Sequence, residues 1–164
     1  MPEGAWKLAA GMGSTAFLAV ASLVLGYWLW RRGDRLSAGL LAFAFLGAYL
    51  LDMIAKIGFG RARPGLADPT ALGPDPLHFF SWDPSSGAFP SGHAMQSIVV
   101  YGFLVAVMQA RLRPWVGVVS LVLVLAIGMS RIELGAHWPT DVLGGWLIGI
   151  AWLASVLVAR RRAL

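Results

Sequence analysis

The fold class this sequence of 164 residues predicts is an all-α integral membrane bundle of about five transmembrane helices. Three observations predict it. Hydrophobic residues make up 58% and charged residues only 13%, with a mean hydropathy of +0.71; a soluble domain carries about a quarter charged residues. Apolar segments recur at roughly the length needed to cross the hydrocarbon, about 17–25 residues. Basic residues cluster in alternate connections between those segments, as they do beside membrane spans.

The elements follow in order. The first apolar run, 8–30, is too long for the apolar region of a cleaved signal, about 7–15 residues, and Met1 to Lys7 offers one Lys against Glu3. It reads as a retained span. The second covers 36–55, with Asp52 near its end. A segment over 56–91 follows, and its stretch from Gly65 to Ala88 is rich in Pro, Gly, Asp and Ser, the composition of an irregular surface loop. Within it, Leu77 to Trp82 is aromatic enough to lie at the membrane interface. Spans three to five cover 92–110, 114–130 and 140–159. The fourth is short, so its helix should extend into the flanking polar residues. The whole chain, 1–164, reads as a single domain.

Arg31, Arg32 and Arg35 follow span one, Arg111 and Arg113 span three, and Arg160, Arg161 and Arg162 span five. If the spans alternate, these share one side, and positive charge in short loops marks the cytoplasm. The N-terminus and the 56–91 loop then face outward and the C-terminus inward, across a cytoplasmic (inner) membrane. The net charge of +5 therefore sets topology and supplies anion ligands, and does not point to nucleic acid. With 0 Cys, disulfides and thiolate metal sites are excluded.

Five basic residues remain on the outer side: Lys7, Lys56, Arg61, Arg63 and Arg131. Four of them lie in or beside three clusters that carry chemistry. These are Lys56 to Arg63-Pro64, then Pro90-Ser91-Gly92-His93, then Ser130-Arg131 leading to His137 and Asp141. Lys56, Arg63 and Arg131 can surround a phosphate dianion, the guanidinium groups in paired hydrogen bonds and the Lys as a point charge. Ser91 and Gly92 open span three, where unpaired backbone N–H groups and the helix dipole favour an anion. Gly92 would let that anion approach the main chain, and His93 would sit against it. His137 and Asp141 are four apart and share a helix face. A carboxylate there would fix the imidazole tautomer and leave the other ring nitrogen free to attack. A nucleophile, an orienting group and a cage of cations suit phosphoryl transfer.

This constellation resembles the type 2 phosphatidic acid phosphatase superfamily, whose pattern is Lys, six residues and Arg-Pro, then Pro-Ser-Gly-His, then Ser-Arg, five residues, His, three residues and Asp. All three elements stand here with intact spacing, across about half the chain. The resemblance implies that His137 forms a phosphohistidine, that Asp141 orients it and that His93 protonates the leaving oxygen. It implies that Lys56, Arg63, Ser91, Gly92 and Arg131 hold the phosphate, with no metal or other cofactor. The expected substrate is a phosphorylated membrane lipid at headgroup depth. Candidates are an isoprenoid diphosphate such as undecaprenyl diphosphate, favoured by family frequency, or phosphatidylglycerol phosphate, phosphatidic acid or a lipid A phosphate. A lipid-to-lipid phosphotransferase using the same site and a non-catalytic lipid-binding or transport protein are the competing readings. Members commonly have six spans, so an N-terminal helix is expected to be absent.

Outside the motif positions the expectations are plainer. Asp52 lies one helical turn before Lys56 and should pair with it. Arg61 is expected at the rim, near lipid headgroups, and Glu133 in solvent. His78 reads as a solvated loop residue, and Gly144-Gly145 as close helix packing. Two-histidine chemistry predicts a bell-shaped pH profile.

Overall fold

A break at Gly13 and Ser14 splits the first apolar run into two helices, α1 (Glu3–Met12) and α2 (Thr15–Arg31), set 48° apart. Ser14 causes the restart. Its Oγ accepts from the Phe17 N–H at 3.3 Å and donates to the Gly11 carbonyl at 2.8 Å, so it caps α2. The computed structural model describes residues 2–64 and 87–163. The interfacial reading of Leu77 to Trp82, and His78 within it, lies outside the described residues.

Four more helices follow among the described residues: α3 (Arg35–Phe59), α4 (Gly92–Val107), α5 (Arg113–Glu133) and α6 (Pro139–Ala163). Gly33 at φ +83° turns the chain after α2. The Asp34 carboxylate then caps α3 through the Ser37 N–H at 3.0 Å. Gly60, at φ +53°, closes α3 with its N–H on the Lys56 carbonyl, a left-handed stop that glycine adopts without Cβ strain. Pro114 in α5 and Pro139 in α6 occupy first turns, where no N–H is needed. α5 and α6 extend past their apolar segments into polar flanks.

By length and composition α3, α5 and α6 can each cross a membrane, and the bent α1–α2 pair counts as a fourth crossing if it is one span. α4 has 16 residues and is the shorter apolar helix. It is the central one, packed by α2, α3, α5 and α6. Val99 and Phe103 meet Leu41, Ala48 and Leu153 on one side. Val100 and Tyr101 meet Leu18, Val124 and Ile127 on the other.

α6 approaches α4 along Gly145 and Gly149, one turn apart. A Cβ at Gly145 would stand 2.5 Å from the Ser91 carbonyl oxygen, and one at Gly149 2.9 Å from that of Met95. Lipid gives helices no hydrophobic reason to associate, so this backbone proximity supplies the dispersion contact that does. Large apolar side chains on the outer faces, such as Leu23, Leu46, Val122 and Leu147, stay exposed, as lipid-facing residues do.

The bundle has two polar ends. At one, Arg160 of α6 donates to Ser37 Oγ at 2.6 Å and reaches Asp34 at 3.4 Å. Arg113, Arg160 and Arg161 line a cavity of about 290 Å³ there. At the other end the α1–α2 break, the end of α3 and the starts of α4 and α6 converge.

Candidate active site

Lys56, in the last turn of α3, is held by Asp52 one turn earlier, Nζ to Oδ2 at 2.8 Å and both nearly buried. The same carboxylate lies against the start of α4. A Cβ at Gly92 would meet Asp52 Oδ2 at 2.6 Å, so the glycine is needed there by the carboxylate, whatever approaches from the other side. The Ser91 N–H donates to the Asp141 carbonyl at 2.9 Å. That bond ties the mouth of α4 to the first turn of α6 and brings the second and third motifs together.

His137 lies on the turn between α5 and α6 and is 3% exposed. Its own N–H donates to the Arg131 carbonyl at 3.1 Å, which folds the turn back over the end of α5. Its Nδ1 is 2.7 Å from the Ala88 carbonyl oxygen. A carbonyl can only accept, so Nδ1 carries the proton and Nε2 holds a free lone pair. Asp141 Oδ2 is 3.7 Å from Nδ1, beyond hydrogen-bond reach. Spacing pairs His137 with Asp141, and the two lie within ion-pair distance, while the hydrogen bond on Nδ1 goes to the Ala88 carbonyl.

The Asp141 carboxylate is engaged elsewhere. Oδ1 accepts from Arg61 Nη1 at 2.9 Å, and Oδ2 accepts from the Trp138 N–H at 2.8 Å. Arg61 also donates to Thr140 Oγ1 at 2.7 Å and lies over the Trp138 ring. The sequence reading set Arg61 at the rim among lipid headgroups; it stands against the site's own carboxylate. Glu133, by contrast, is exposed as expected.

Lys56, Arg63 and Arg131 all act electrostatically on both His93 and His137, so the two imidazoles share one set of cations. His137 has its pKa lowered from 6.5 to about 3. Burial is the largest cause; the Ala88 hydrogen bond opposes it, and the three cations add to it. The ring is neutral at physiological pH. Ser91 Oγ and Arg131 Nε are buried and have no hydrogen-bond partner among the described residues. A buried polar group without a partner is costly, and a phosphate oxygen would satisfy both. The eight residues picked out by spacing thus converge at one end of the bundle. Among the described residues no group of three or more His, Asp or Glu could hold a metal ion.

Fold and site together define an integral membrane helical protein with a buried, cation-flanked imidazole at one end. The chain belongs to the PAP2 superfamily, whose model matches residues 37–163. It is 33% identical to a lipid A 1-phosphatase of Rhizobium johnstonii, over 94% of this chain and 67% of that protein. It is 29% identical to an undecaprenyl-diphosphatase of Sulfolobus acidocaldarius, over 72% of this chain and 52% of that protein. The chain thus spans two thirds of the first relative's length and about half of the second's. The crystal structure of a transmembrane PAP2 type phosphatidylglycerolphosphate phosphatase from Bacillus subtilis superposes with a TM-score of 0.80 at 25% identity. The superposition covers 99% of this chain and 79% of that one.

Proposed function

We propose that this chain is a lipid phosphatase that hydrolyses the phosphate or diphosphate of a membrane lipid through a phosphohistidine on His137. One observation carries the reading: the Ala88 carbonyl holds Nδ1–H and leaves Nε2 free in the middle of a set of cations. Lys56, Arg63 and Arg131, with Ser91 Oγ and the first N–H groups of α4, bind the phosphoryl oxygens and stabilise charge as it develops. His137 Nε2 attacks phosphorus, the bond to the lipid oxygen breaks, and His93 gives that oxygen its proton. Water then attacks the phosphohistidine, His93 takes the proton back, and inorganic phosphate leaves. Asp141 holds the turn that carries His137. These steps draw on this chain's side chains, the N–H groups of α4 and water, and need no metal ion.

The site lies at a bundle end, so the substrate is an amphiphile whose phosphate sits at headgroup depth. The relatives act on lipid A phosphate and on an isoprenoid diphosphate, and both fit that description. The Arg-rich end faces the cytoplasm across the cell's inner (cytoplasmic) membrane, and the site opens outward with the N-terminus. The described region acts as a single catalytic domain.

The test is phosphate release from a lipid panel in detergent with chelator present, with wild type and His137→Ala side by side. The panel holds an isoprenoid diphosphate, phosphatidylglycerol phosphate, phosphatidic acid and a lipid A phosphate. Wild type should release phosphate, and the variant should lose at least about a thousandfold in kcat. Turnover by His137→Ala, or loss of wild-type activity on chelation, would sink the proposal.

A further inference from the structure

Three guanidinium groups meet at the end of the bundle opposite the histidines. Arg113 opens α5, Arg160 and Arg161 lie in the last turn of α6, and together they line a cavity of about 290 Å³. Val105 and Ala106 of α4 and Leu157 of α6 give it an apolar wall. The short α4 leaves room for it. Its 16 residues reach about 24 Å at about 1.5 Å per residue, less than the roughly 30 Å of hydrocarbon. A hollow therefore lies between the start of α5 and the end of α6, near headgroup depth.

Two of the three groups are anchored. Arg160 Nε donates to Ser37 Oγ at 2.6 Å and its Nη2 reaches Asp34 at 3.4 Å. Arg113 Nη2 donates to the Met108 carbonyl at 3.1 Å. Only Arg160 has a carboxylate: among the described residues neither Arg113 nor Arg161 forms an ion pair. Arg113 also stands at a helix start, where its charge opposes the dipole. α5 has no acidic residue in its first turn and no side-chain cap. Membrane topology requires only that positive charge lie on one side. It does not require three like charges to converge on one hollow, which is unfavourable until an anion enters.

We propose that this cavity binds the headgroup phosphate of an anionic phospholipid from the leaflet at the Arg-rich end. Guanidinium groups hold phosphate oxygens through paired hydrogen bonds, and basic pockets between membrane helices suit such headgroups. The volume stands at the low end for a small-ligand site, about 300–1,000 Å³. It takes a headgroup and leaves the acyl chains in the bilayer. The apolar wall favours a lipid over a free phosphate ion, because it covers the glycerol and the first methylenes. The cavity lies at the far end from His137, so the proposal does not depend on the phosphohistidine reading.

The experiment is thermal unfolding of the full chain in detergent, titrated with phosphatidylglycerol, phosphatidylcholine or inorganic phosphate. Phosphatidylglycerol should raise the unfolding midpoint of wild type saturably, and zwitterionic phosphatidylcholine should not. In Arg113→Gln/Arg161→Gln the concentration giving half the gain should rise about thirtyfold, from about fivefold per Arg beside an anionic lipid. Arg31→Gln/Arg32→Gln removes the same charge from the same end, outside the cavity. It should shift the half-point by less than about threefold, because exposed charges are screened by salt. Equal shifts in the two double changes, or an unmoved half-point in the first, overturn the proposal. If inorganic phosphate stabilises wild type and the first double change removes that gain, the cavity takes a free anion and the lipid assignment falls. If that double change does not fold, Arg113→Gln alone, at an exposed residue, should show the step of about fivefold, and its absence overturns the proposal equally.

Discussion

His137 has two ring nitrogens, and its proposed role as nucleophile depends on how the first is used. Nδ1 is bonded to a carbonyl, which cannot take its proton, so Nε2 is the basic atom. Burial and three nearby cations then keep the ring uncharged, with a pKa of about 3. The proposed nucleophile must be proton-free, so a lowered pKa should extend activity toward acid. The acid limb of kcat/KM should fall below about pH 5, once corrected for the substrate's second ionisation near pH ~6. A profile from pH 4 to 9 on a short-chain lipid phosphate checks this. A limb near the ordinary histidine value of about 6.5 would mean that the ring is not buried as described. Burial thus displaces the acid side of the expected profile downward. Spacing could nominate His137, because side-chain identity is written in the chain. It could not nominate Ala88, since any residue offers the same carbonyl. Nor could it find Arg61, whose partner lies 80 positions away in the fold and nowhere near it in the chain.

At the scale of helices, α4 and α6 set the site because their backbones nearly touch. The Gly145 contact is with the carbonyl of Ser91 itself, so a change in that seam reaches the proposed phosphate ligands directly. Gly145→Ala should destabilise the fold by about 1–3 kcal/mol through overpacking and lower turnover as Ser91 shifts. Gly26→Ala in α2 makes the same chemical change where nothing lies within 4 Å. It should be neutral or stabilising by up to about 1 kcal/mol, from helix propensity alone. Thermal unfolding and turnover of the two variants in detergent read the difference; equal effects would show that the seam is not tight. Hydropathy located the apolar runs but was blind to the break at Gly13 and Ser14, because α1 and α2 are both apolar and a bend leaves composition unchanged. The seam glycines were legible as close packing, though not the partner they pack against. Nothing in the 92–110 segment shows that α4 stops at Val107. It is wrapped by four other helices, so its ends meet protein and need not reach both membrane surfaces.

Across the whole molecule, positive charge is divided between two jobs. At one end the Arg clusters lie in short connections, most of them exposed, with Arg160 tied to Asp34 and Ser37. At the other, Lys56, Arg61, Arg63 and Arg131 are drawn inward around the histidines. The first group is the kind that keeps a loop on the cytoplasmic side. In the second, Lys56 is paired with Asp52 and Arg61 with Asp141, which offsets part of its charge. The break between α1 and α2 belongs to the second end, since a Cβ on Gly13 would stand 3.4 Å from the His93 ring. The proposed topology therefore expects the N-terminus and the proposed active site on one side of the membrane, with the C-terminal Arg cluster on the other. The sequence contains 0 Cys, so a single introduced cysteine reports its own side without background. Gly4→Cys, exposed at the site end, should react with a membrane-impermeant maleimide in intact cells. Ala163→Cys, exposed beside Arg160, Arg161 and Arg162, should react only after the membrane is permeabilised. Labelling of both from the same side would separate the site from the N-terminus or leave the bundle one crossing short. The reverse pattern would turn the site toward the cytoplasm and confine its substrates to lipids of the inner leaflet.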